Sequence, residues 1–438
     1  MKSLETLVSL AKRRGFIYQG SEIYGGLAGT WDYGPLGAQL KRNIANLWWK
    51  TFVEDRDDMY GIDSAILMNS KVWQASGHID TFTDPMVECN KCHARFRKDH
   101  VSNQKPCPNC EAKDSYAEAR QFQLMFRTNI GPIENESSLA YLRPETAQGM
   151  FTNFKNVLDS YSPDLPFGLA QIGRSFRNEI SPRDFLFRTR EFEIMELEYF
   201  IEKKDWEKHF KTWGKLMHVW FDTLGLPKSK IKEVELAPDD RAHYSKRTTD
   251  FYYDFPSRGF DEVAGLAYRT DFDLAAHEKL SGKELRFIPK GGGKPFIPHV
   301  IEPTFGLDRN LLAVMAEAYA EDTQAGEKRV YLKLPAHLAP VKVAVFPLLK
   351  NKPELVKKAR QIYELLKLEF GAVTWDDHGN IGKRYRRQDE IGTPYTITVD
   401  FDSLEKGDVT IRDRDSMKQE RIKIDKLTGT LNQKLATQ

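Results

Sequence analysis

Residues 167–200 read FGLAQIGRSFRNEISPRDFLFRTREFEIMELEYF, and this stretch decides the fold. Its pattern predicts two long strands, FGLAQIGRSFRNE and RTREFEIMELEYF, joined by a short loop at ISPRDFL. Successive side chains of a strand point to opposite faces of a sheet. This alternation assigns Met195, Leu197 and Tyr199 to the core face. The other face carries, from the two strands together, Arg177, Glu179, Arg188, Arg190, Phe192, Ile194, Glu196 and Glu198.

A sheet face that carries arginines, an aromatic ring and carboxylates at fixed positions indicates a binding surface. Charged groups on a long central strand are costly unless a ligand pairs with them. The alternative is an ordinary solvated face on which the charges form cross-strand ion pairs. The strand pair alone leaves both interpretations open.

A second stretch, HVIEPTFGLDRNLLAVM at residues 299–315, predicts a strand, a turn and a helix. Glu302 lies near the end of the strand, Gly306 at the turn, and Arg309 in the first turn of the helix. A cation at a helix N-terminus opposes the helix dipole. Arg309 is therefore best explained by an anion, such as a phosphate group, bound between its guanidinium and the backbone amides.

The four cysteines form two pairs, Cys89-x2-Cys92 and Cys107-x2-Cys110. Two such turns can complete a tetrahedron of thiolates around a structural Zn²⁺. The alternatives are four reduced thiols without metal and, with less support because nothing indicates secretion, disulfide bonds.

Taken together, these stretches resemble a known family. FRNE followed by RTREFE is similar to motif 2 of the class II aminoacyl-tRNA synthetases, and GLDR before a helix is similar to motif 3. The helix predicted at 34–52 matches motif 1 only loosely, because MYGIDSAIL lacks the usual proline. The strings YGGLAGTWDYGPLG, SGHIDTFTDPMVECNKC, LRPETAQGMF, FRTREFEIMELEYF and EPTFGLDR resemble the glycyl-tRNA synthetases of the single-polypeptide, homodimeric type, over nearly the whole chain.

The resemblance implies an α+β fold. We expect an antiparallel catalytic sheet with flanking helices over residues 1–337, with a zinc-ribbon-like, zinc-binding insertion at 86–120 and a helical insertion at 201–245. An α/β anticodon-binding domain would follow at 338–438. The implied reaction joins glycine to ATP as glycyl-adenylate and transfers glycyl to the 3′ end of tRNA(Gly), releasing AMP and pyrophosphate. A cytoplasmic homodimer that uses Mg²⁺ with ATP and a structural Zn²⁺ is expected.

The resemblance also assigns an ATP site. Arg177 would hold the α-phosphate and the entering carboxylate, and Arg309 the γ-phosphate, as the two catalytic residues. Glu179 would accept from the adenine amino group while Phe192 stacks on the ring. Glu262 and Glu302 would bind Mg²⁺, unless either lies in a local ion pair. The other expected ATP-binding residues are Asn178, Phe187, Arg188, Thr189, Arg190, Glu191, Val263, Gly306, Leu307 and Asp308.

For glycine, the resemblance assigns Glu145, Glu196 and Glu302 to the ammonium group and Arg97 to the region of the carboxylate. The other expected glycine-binding residues are Phe192, Glu193, Ile194, Met195, Pro303, Thr304, Phe305 and Gly306. The sequence has EPT where the family usually has EPS, so Thr304 adds one methyl group. We expect activity to persist and larger amino acids to be excluded more tightly.

Composition bounds the remaining possibilities. The chain has 438 residues, 65 Lys+Arg against 63 Asp+Glu, and 40% hydrophobic residues, which excludes a wholly disordered protein. No run of apolar residues is long enough for a membrane helix. The N-terminal stretch MKSLETLVSLAKRR predicts an amphipathic surface helix; a mitochondrial presequence is the alternative.

Two further stretches and one histidine also bear on the question of function. In NIGKRYRRQDEIGTPY, cations flank Tyr385 and suit single-stranded RNA, although a solvated basic helix turn is the alternative. The cations are Lys383, Arg384, Arg386 and Arg387. KGGGKPF lacks the spacing of a phosphate-binding loop and predicts an ordinary loop. His78 is assigned no chemistry.

Two rival functions remain at this point. One is a synthetase for threonine, proline or histidine, against which the three-carboxylate set and RPETAQG argue. The other is a catalytically silent paralogue that binds only RNA or a polymerase. A silent copy need not keep Arg177, Glu179, Phe192 and Arg309, so their presence argues against it.

Overall fold

The computed structural model describes residues 3–101, 105–182, 185–324 and 326–436. Its helices are α1 (Leu4–Arg13), α2 (Pro35–Trp49), α3 (Ser70–Ala75), α4 (His78–Thr81), α5 (Ala147–Tyr161), α6 (Trp206–Thr223), α7 (Phe272–Ser281), α8 (Leu307–Ala318), α9 (Pro353–Phe370), α10 (Ile381–Ile391), α11 (Phe401–Lys406) and α12 (Leu427–Ala436). The predicted N-terminal helix is confirmed, with Leu7, Leu10 and Ala11 buried. α2 begins at Pro35. Proline suits this first position because the N–H it lacks would have no hydrogen-bond partner in the first turn of a helix. No helix among these described residues is long and apolar enough to cross a membrane.

The strands follow the sequence patterns less closely than the helices do. They are β1 (Ile17–Gln19), β2 (Trp31–Tyr33), β3 (Met59–Gly61), β4 (Leu67–Met68), β5 (Thr83–Glu88), β6 (Arg95–Arg97), β7 (Arg120–Gln123), β8 (Arg127–Asn129), β9 (Leu139–Leu142), β10 (Phe167–Phe176), β11 (Glu191–Ile201), β12 (Ile231–Glu235), β13 (Arg247–Phe255), β14 (Gly259–Thr270), β15 (His299–Gly306), β16 (Tyr319–Gln324), β17 (Glu327–Leu332), β18 (Val343–Pro347), β19 (Val373–Trp375), β20 (Tyr395–Val399), β21 (Asp408–Asp413) and β22 (Gln419–Lys423).

A seven-stranded sheet in the order β12-β13-β14-β15-β11-β10-β3 forms the centre of the longer part of the chain. It is antiparallel except at β3, which runs parallel to β10. β10 and β11 pair from Phe167 opposite Phe200 to Phe176 opposite Glu191, so the two predicted strands are confirmed. Met195 and Leu197 are fully buried in the hydrophobic core, on the face that the alternation predicts.

The connection between β10 and β11 is longer than predicted. β10 ends at Phe176 and β11 begins at Glu191, so Arg177, Glu179, Arg188 and Arg190 lie in the connection and not on the strands. A short 3₁₀ turn at Phe185–Phe187 lies at the end of the predicted loop, just before the expected strand start at Arg188. Within the predicted ISPRDFL loop, residues 183 and 184 lie outside the described residues.

The predicted helical insertion at 201–245 is wrong in part. The region contains one helix, α6, followed by β12, which pairs with β13 at the edge of the central sheet. Trp213 and Trp220 of α6 are buried in the main core, so the helix is integral to the domain. The helical character expected for this region is met by α6, whereas β12 is an edge strand with too few buried apolar residues to be recognised in the sequence.

Residues 86–120 form a small module on the three-stranded sheet β6-β5-β7. Val87 and Phe96 make its hydrophobic centre together with the buried Cys89 and Cys107.

The C-terminal part has its own five-stranded sheet, in the order β19-β18-β20-β21-β22, covered by helices. β18 is parallel to both β19 and β20. Val341 packs in the core of the first part and Val343 in the separate core of the second. The change of core falls a few residues after the boundary expected between residues 337 and 338, since Leu338 and Ala339 also pack in the first core.

Candidate active site

A pocket of about 400 Å³ lies where β11, β14 and β15 meet the β10–β11 connection. It brings together most of the residues assigned to ATP. The predicted residues that line it are Arg97, Arg177, Glu179, Phe187, Arg188, Thr189, Phe192, Glu193, Ile194, Glu262, Val263, Thr304, Gly306, Asp308 and Arg309. A neighbouring cavity of about 840 Å³ shares part of this wall and adds Glu191 and Leu307.

Arg177 lies at the centre of the pocket between two aromatic rings. Its guanidinium carbon is 5.3 Å from the ring centroid of Phe82 and 5.2 Å from that of Phe192. Its Nε donates to the Pro144 carbonyl at 3.3 Å. Among the described residues, neither terminal nitrogen has a hydrogen-bond partner, so both remain available to an anion. A guanidinium held in this way can present its two terminal nitrogens to a phosphate or carboxylate.

Glu179 lies beside Phe192 and Arg188 in the same pocket. Its Oε2 atom is buried and has no hydrogen-bond partner among the described residues; Arg188 Nε lies 3.6 Å away. A buried acceptor without a donor is costly, so this oxygen is suited to a ligand amino group.

Arg309 is held at the opposite side of the pocket. Its guanidinium donates to the Phe187 carbonyl at 3.1 Å and to the Glu262 carboxylate at 3.1 Å. Asp250 lies close to this ion pair, and burial, followed by the charge of Glu262, raises its pKa to about 7. No local sequence pattern singles out Asp250, which lies on β13, the strand next to the one that carries Glu262. The site therefore has a carboxyl group in excess next to Arg309.

Glu262 and Glu302 cannot ligate one ion, which corrects their joint assignment to Mg²⁺. Glu302 pairs with Ala267, five residues along β14 from Glu262, which places the two backbones about 16 Å apart. Ligands of one Mg²⁺ lie only about 2 Å from the ion. Each glutamate is instead in an ion pair with an arginine, Glu302 with Arg269 at 2.6 Å, which was the alternative prediction.

Buried carboxylates make up the floor below the pocket. Glu196 accepts from the Thr146 backbone amide and hydroxyl at 3.0 and 2.6 Å and from the Thr304 hydroxyl at 2.9 Å. Burial, and next the charge of Glu145, raises the pKa of Glu196. Glu198 is fully buried, and neither of its carboxyl oxygens has a hydrogen-bond partner among the described residues. Burial raises its pKa well above the usual range, so its neutral form is favoured.

Arg269 is the cation at the centre of this floor. It is fully buried and donates to Asp273 at 2.8 Å and to Glu302 at 2.6 Å, while Glu145 lies 3.6 Å away. The ring of Tyr244 lies 3.6 Å from its guanidinium carbon. Burial alone would lower the pKa of Arg269, but the surrounding carboxylates raise it. The carboxylates outnumber the arginine, so the floor is suited to one further cation.

Two expected glycine contacts face away from the pocket. Met195 and Phe305 are fully buried, pair with each other across β11 and β15, and pack in the core. Their side chains cannot reach a ligand above the opposite face, because strand side chains alternate. The resemblance assigned continuous stretches of sequence to glycine, but only alternate residues of a strand face the pocket. Met195 and Phe305 are therefore removed from the expected glycine contacts.

Two other residues assigned to ATP form hydrogen bonds to backbone carbonyls of the protein itself. Arg190 donates to the carbonyls of Ala28 and Glu179 at 2.9 and 3.2 Å. The Asn178 backbone amide donates to the Leu124 carbonyl at 2.7 Å. Arg190 and Asn178 thus shape the connection that carries Arg177.

Asp308 anchors the pocket wall to α2. It accepts from Lys41 at 3.0 Å, from the Glu193 backbone amide at 2.8 Å, and from the Tyr33 hydroxyl. Lys41 also pairs with Glu193 at 2.8 Å. Lys41 and Tyr33 were missed by sequence reasoning, although Tyr33 lies in a family string.

The cysteines come together as predicted. Sulfur atoms of Cys89 and Cys110 lie 3.7 Å apart, and those of Cys92 and Cys107 lie 3.8 Å apart. All four lie within 4.8 Å of one another. Four sulfurs placed tetrahedrally about 2.3 Å from zinc stand about 3.8 Å apart, so the set fits Zn²⁺. These distances are far too long for disulfide bonds.

Arg97 connects the cysteine module to the pocket. It lies on β6, lines the pocket, and donates to Asp84 at 2.6 Å and to Asp99 at 3.0 Å. Ser181 of the β10–β11 connection donates to the Arg95 carbonyl at 2.9 Å. The module therefore contributes to the wall around Arg177.

The basic turn in the C-terminal part is only partly available to RNA. Arg384 is buried and donates to the carbonyls of Asp377 and Gly379. The Tyr385 hydroxyl is hydrogen-bonded to Thr398 at 2.6 Å. The prediction that Arg384 faces RNA is therefore corrected, while the half-buried Tyr385 has its hydroxyl engaged within the protein. The local pattern does not show this, because the partners are backbone carbonyls of the preceding loop and Thr398 on β20.

Comparison with known proteins follows the same division of the chain. Residues 126–319 match the tRNA synthetase class II core domain (G, H, P, S and T), and residues 342–434 match the anticodon binding domain. The chain is 48% identical over 457 residues to the glycine–tRNA ligase of Thermobifida fusca (strain YX), covering 99% of this chain and 98% of that protein. It is 47% identical to the Cutibacterium acnes glycine–tRNA ligase over 457 residues (99% and 96%) and 45% identical to that of Deinococcus radiodurans over 505 residues (99% of both).

Proposed function

The chain belongs to the glycine–tRNA ligase family of class II aminoacyl-tRNA synthetases, and from this we propose how its pocket divides between ATP and glycine. The enzyme joins glycine to ATP as glycyl-adenylate, then transfers glycyl to the 3′ end of tRNA(Gly), releasing AMP and pyrophosphate. Glycine's own carboxylate attacks the α-phosphate, so no protein nucleophile is needed. Positioning and neutralisation of charge at phosphorus supply the catalysis.

ATP occupies the pocket between the two arginines. Arg177 binds the α-phosphate and the entering carboxylate with its two free nitrogens, and Arg309 binds the γ-phosphate. Glu179 accepts a hydrogen bond from the adenine amino group through its unpartnered oxygen. Phe192 stacks on the adenine ring. What supports this division is that all four side chains line one cavity.

Class II synthetases use ATP with Mg²⁺, and Glu262 is the side chain proposed to hold the ion. Glu262 is 45% exposed in the pocket, and Asp250 next to it has its pKa raised towards neutrality. Two neighbouring carboxyl groups that lack sufficient positive charge suit a hard divalent cation. Bound there, Mg²⁺ would neutralise the phosphates of ATP.

Glycine occupies the carboxylate floor. Its ammonium group is placed among Glu145, Glu196 and Glu302, where it supplies the missing positive charge. Its carboxylate points towards Arg177 and Arg97. Thr304 is hydrogen-bonded to Glu196, and its methyl group occupies space that a larger amino acid would need. Exclusion by overlap requires no editing site.

Zn²⁺ is proposed to bind the four cysteines as a closed structural site, because their sulfur separations match a tetrahedron. A site with four protein ligands has no open position for substrate. Its role is then to fold the module that carries Arg97.

The larger arrangement is proposed from the same family. Residues 1–337 form the catalytic domain and residues 338–438 the anticodon-binding domain. The enzyme acts in the cytoplasm as a twofold homodimer. Ile23 and Tyr24 are 88% and 86% exposed beside the segment that leads into α2, and such apolar side chains suit an interface between copies.

The observation that carries the proposal is the convergence of Arg177, Glu179, Phe192 and Arg309 over a buried carboxylate floor. Amino-acid-dependent pyrophosphate exchange with each common amino acid tests it. Exchange with glycine alone is expected. Exchange with threonine, proline or histidine would favour a different synthetase, and none with any amino acid would favour the silent paralogue.

A further inference from the structure

His78 is a buried histidine that none of the proposed ligand contacts uses. It is 3% exposed at the start of α4. Its Nε2 lies 3.3 Å from Glu145 Oε2, and its Nδ1 lies 2.8 Å from the Ser76 hydroxyl. A carboxylate can only accept hydrogen bonds, so Nε2 is the nitrogen that presents a proton to Glu145.

His78 is the partner of one of the two carboxylate oxygens of Glu145. Gln148 donates to Oε1 at 2.9 Å, and Arg269 lies 3.6 Å from the same oxygen. Among the described residues, His78 is the group that contacts Oε2. Although burial opposes ionisation of Glu145, its pKa is lowered because His78 and Arg269 outweigh that effect. His78 therefore helps to orient the Glu145 carboxylate and to keep it ionised.

The same imidazole also packs against the support of Arg177. The His78 ring centroid lies 5.4 Å from that of Phe82 and 5.6 Å from that of Trp73. Phe82 in turn lies under the guanidinium of Arg177. One side chain thus touches the carboxylate on one side of the pocket and the aromatic support of the catalytic arginine on the other.

We propose that His78 is a positioning residue for glycine activation: its Nε2 aims Glu145 at the glycine ammonium, and its ring keeps Phe82 and Arg177 in place. The inference rests on the proposed role of Glu145 in binding that ammonium. The two contacts are made by different parts of the side chain, so they can be separated by substitution.

Two variants separate the contacts. His78→Phe keeps a ring of similar size but removes the donor, whereas His78→Gln keeps a donor but removes the ring. For His78→Phe we expect KM for glycine to rise about tenfold or more, the effect of losing a hydrogen bond to a charged group, while kcat and KM for ATP change little. For His78→Gln we expect KM for glycine near the wild-type value and a lower kcat. Steady-state pyrophosphate exchange measures all three quantities.

His299→Phe is the matched control. His299 is also buried, at 7% exposure, and its Nδ1 is hydrogen-bonded to the Tyr268 hydroxyl at 2.6 Å. Its substitution should lower the melting temperature without raising KM for glycine. A wild-type KM for glycine in His78→Phe, or equal changes in both KM values in both variants, would overturn the inference.

Glu145→Gln separates this inference from the function on which it rests. If Glu145→Gln leaves KM for glycine unchanged, the proposed ammonium site is itself wrong. If Glu145→Gln raises KM for glycine and His78→Phe does not, only the role of His78 fails. In the double variant, His78→Phe should add nothing to the effect of Glu145→Gln. Should His78→Phe not fold, His78→Met replaces it as the variant without a donor, with the same expected contrast to His78→Gln.

Discussion

The guanidinium of Arg177 is fixed between two phenyl rings and one carbonyl, and its terminal nitrogens are left for ligand. Lysine has a single charged point and no planar fork, so it can replace the charge but not the geometry. We expect Arg177→Lys to lower glycine-dependent pyrophosphate exchange by about 100-fold or more, as loss of a transition-state donor does. The melting temperature should change little. Exchange within a few-fold of the wild type would show that Arg177 does not bind the reacting phosphate.

The methyl group of Thr304 is expected to help the enzyme select glycine over alanine. Its hydroxyl holds Glu196, and serine would keep that hydrogen bond while removing one methyl group. We expect Thr304→Ser to retain glycine activation and to activate alanine about tenfold more readily, the usual effect of one methyl group in a pocket. Comparing kcat/KM for alanine and glycine in both proteins measures this. A wild type that activates alanine more readily than Thr304→Ser would contradict it.

At the residue scale, the sequence predicted the side chains that line the pocket better than the side chains that hold them in place. Arg177, Glu179 and Arg309 belong to recognisable strings, and the pocket brings them together. Arg269 and His78 were not assigned because their function depends on contacts with segments distant in the chain. A buried arginine is visible in the sequence only as one more charge, until the fold shows which carboxylates surround it.

At the scale of elements, the cysteine module carries Arg97 into the pocket wall, so the proposed zinc site predicts an effect on the pocket. We expect purified enzyme to contain about one Zn²⁺ per chain and Cys92→Ser to lose it. Because β6 carries Arg97 into the pocket, KM for glycine should rise while the far-ultraviolet circular dichroism changes little. Metal analysis together with pyrophosphate exchange checks both outcomes.

His100→Gln provides the control, since it is an exposed change within the same module and should keep the metal. Wild-type protein without metal, and with four titratable thiols, would refute the zinc site. Metal loss without any change in KM would separate the module from the pocket.

The elements show why local patterns predict strands with one buried face and miss others. β11 was predicted because alternating residues face a core, and Met195 and Leu197 confirm the core face. β12 was missed because it lies at an edge, with little buried side chain to produce alternation. The ends of β10 and β11 were placed too far into the connection, because the charged residues there continue the alternation by chance.

At the scale of the molecule, the two parts of the chain are joined by a buried charge network. Asp389 of α10 is 1% exposed and accepts from Arg329 of β17 at 3.2 Å and from Arg412 of β21 at 2.8 Å. Asp389→Asn removes the charge that both arginines share. We expect it to lower the free energy of unfolding by about 3 kcal/mol or more, since among the described residues it leaves the buried Arg412 without a carboxylate, whereas Arg329 keeps Asp322 at 2.7 Å. Urea unfolding measures the loss.

Because Arg329 belongs to the first part and Asp389 to the second, the variant should also reduce tRNA aminoacylation more than pyrophosphate exchange. Asp159→Asn is the control, since Asp159 forms an exposed pair with Lys155 and should change stability by less than about 0.5 kcal/mol. Equal stability of the two variants would show that the network does not join the parts.

The division into two parts was expected from a family resemblance that extends over nearly the whole chain, and the change of core near Val341 and Val343 lies a few residues beyond the expected boundary. The exposure of Ile23 and Tyr24 was not expected, because no local pattern distinguishes these side chains from core residues. The network around Asp389 was equally hidden, since its members lie 60 and 23 residues apart.

A crystal structure with a non-hydrolysable glycyl-sulfamoyl adenosine tests most directly how the pocket divides between ATP and glycine. The proposed division predicts that the adenine stacks on Phe192, that the sulfamoyl group contacts Arg177, and that the ammonium lies among Glu145, Glu196 and Glu302. Clear density elsewhere, or an empty pocket at saturating concentrations of the compound, would contradict it.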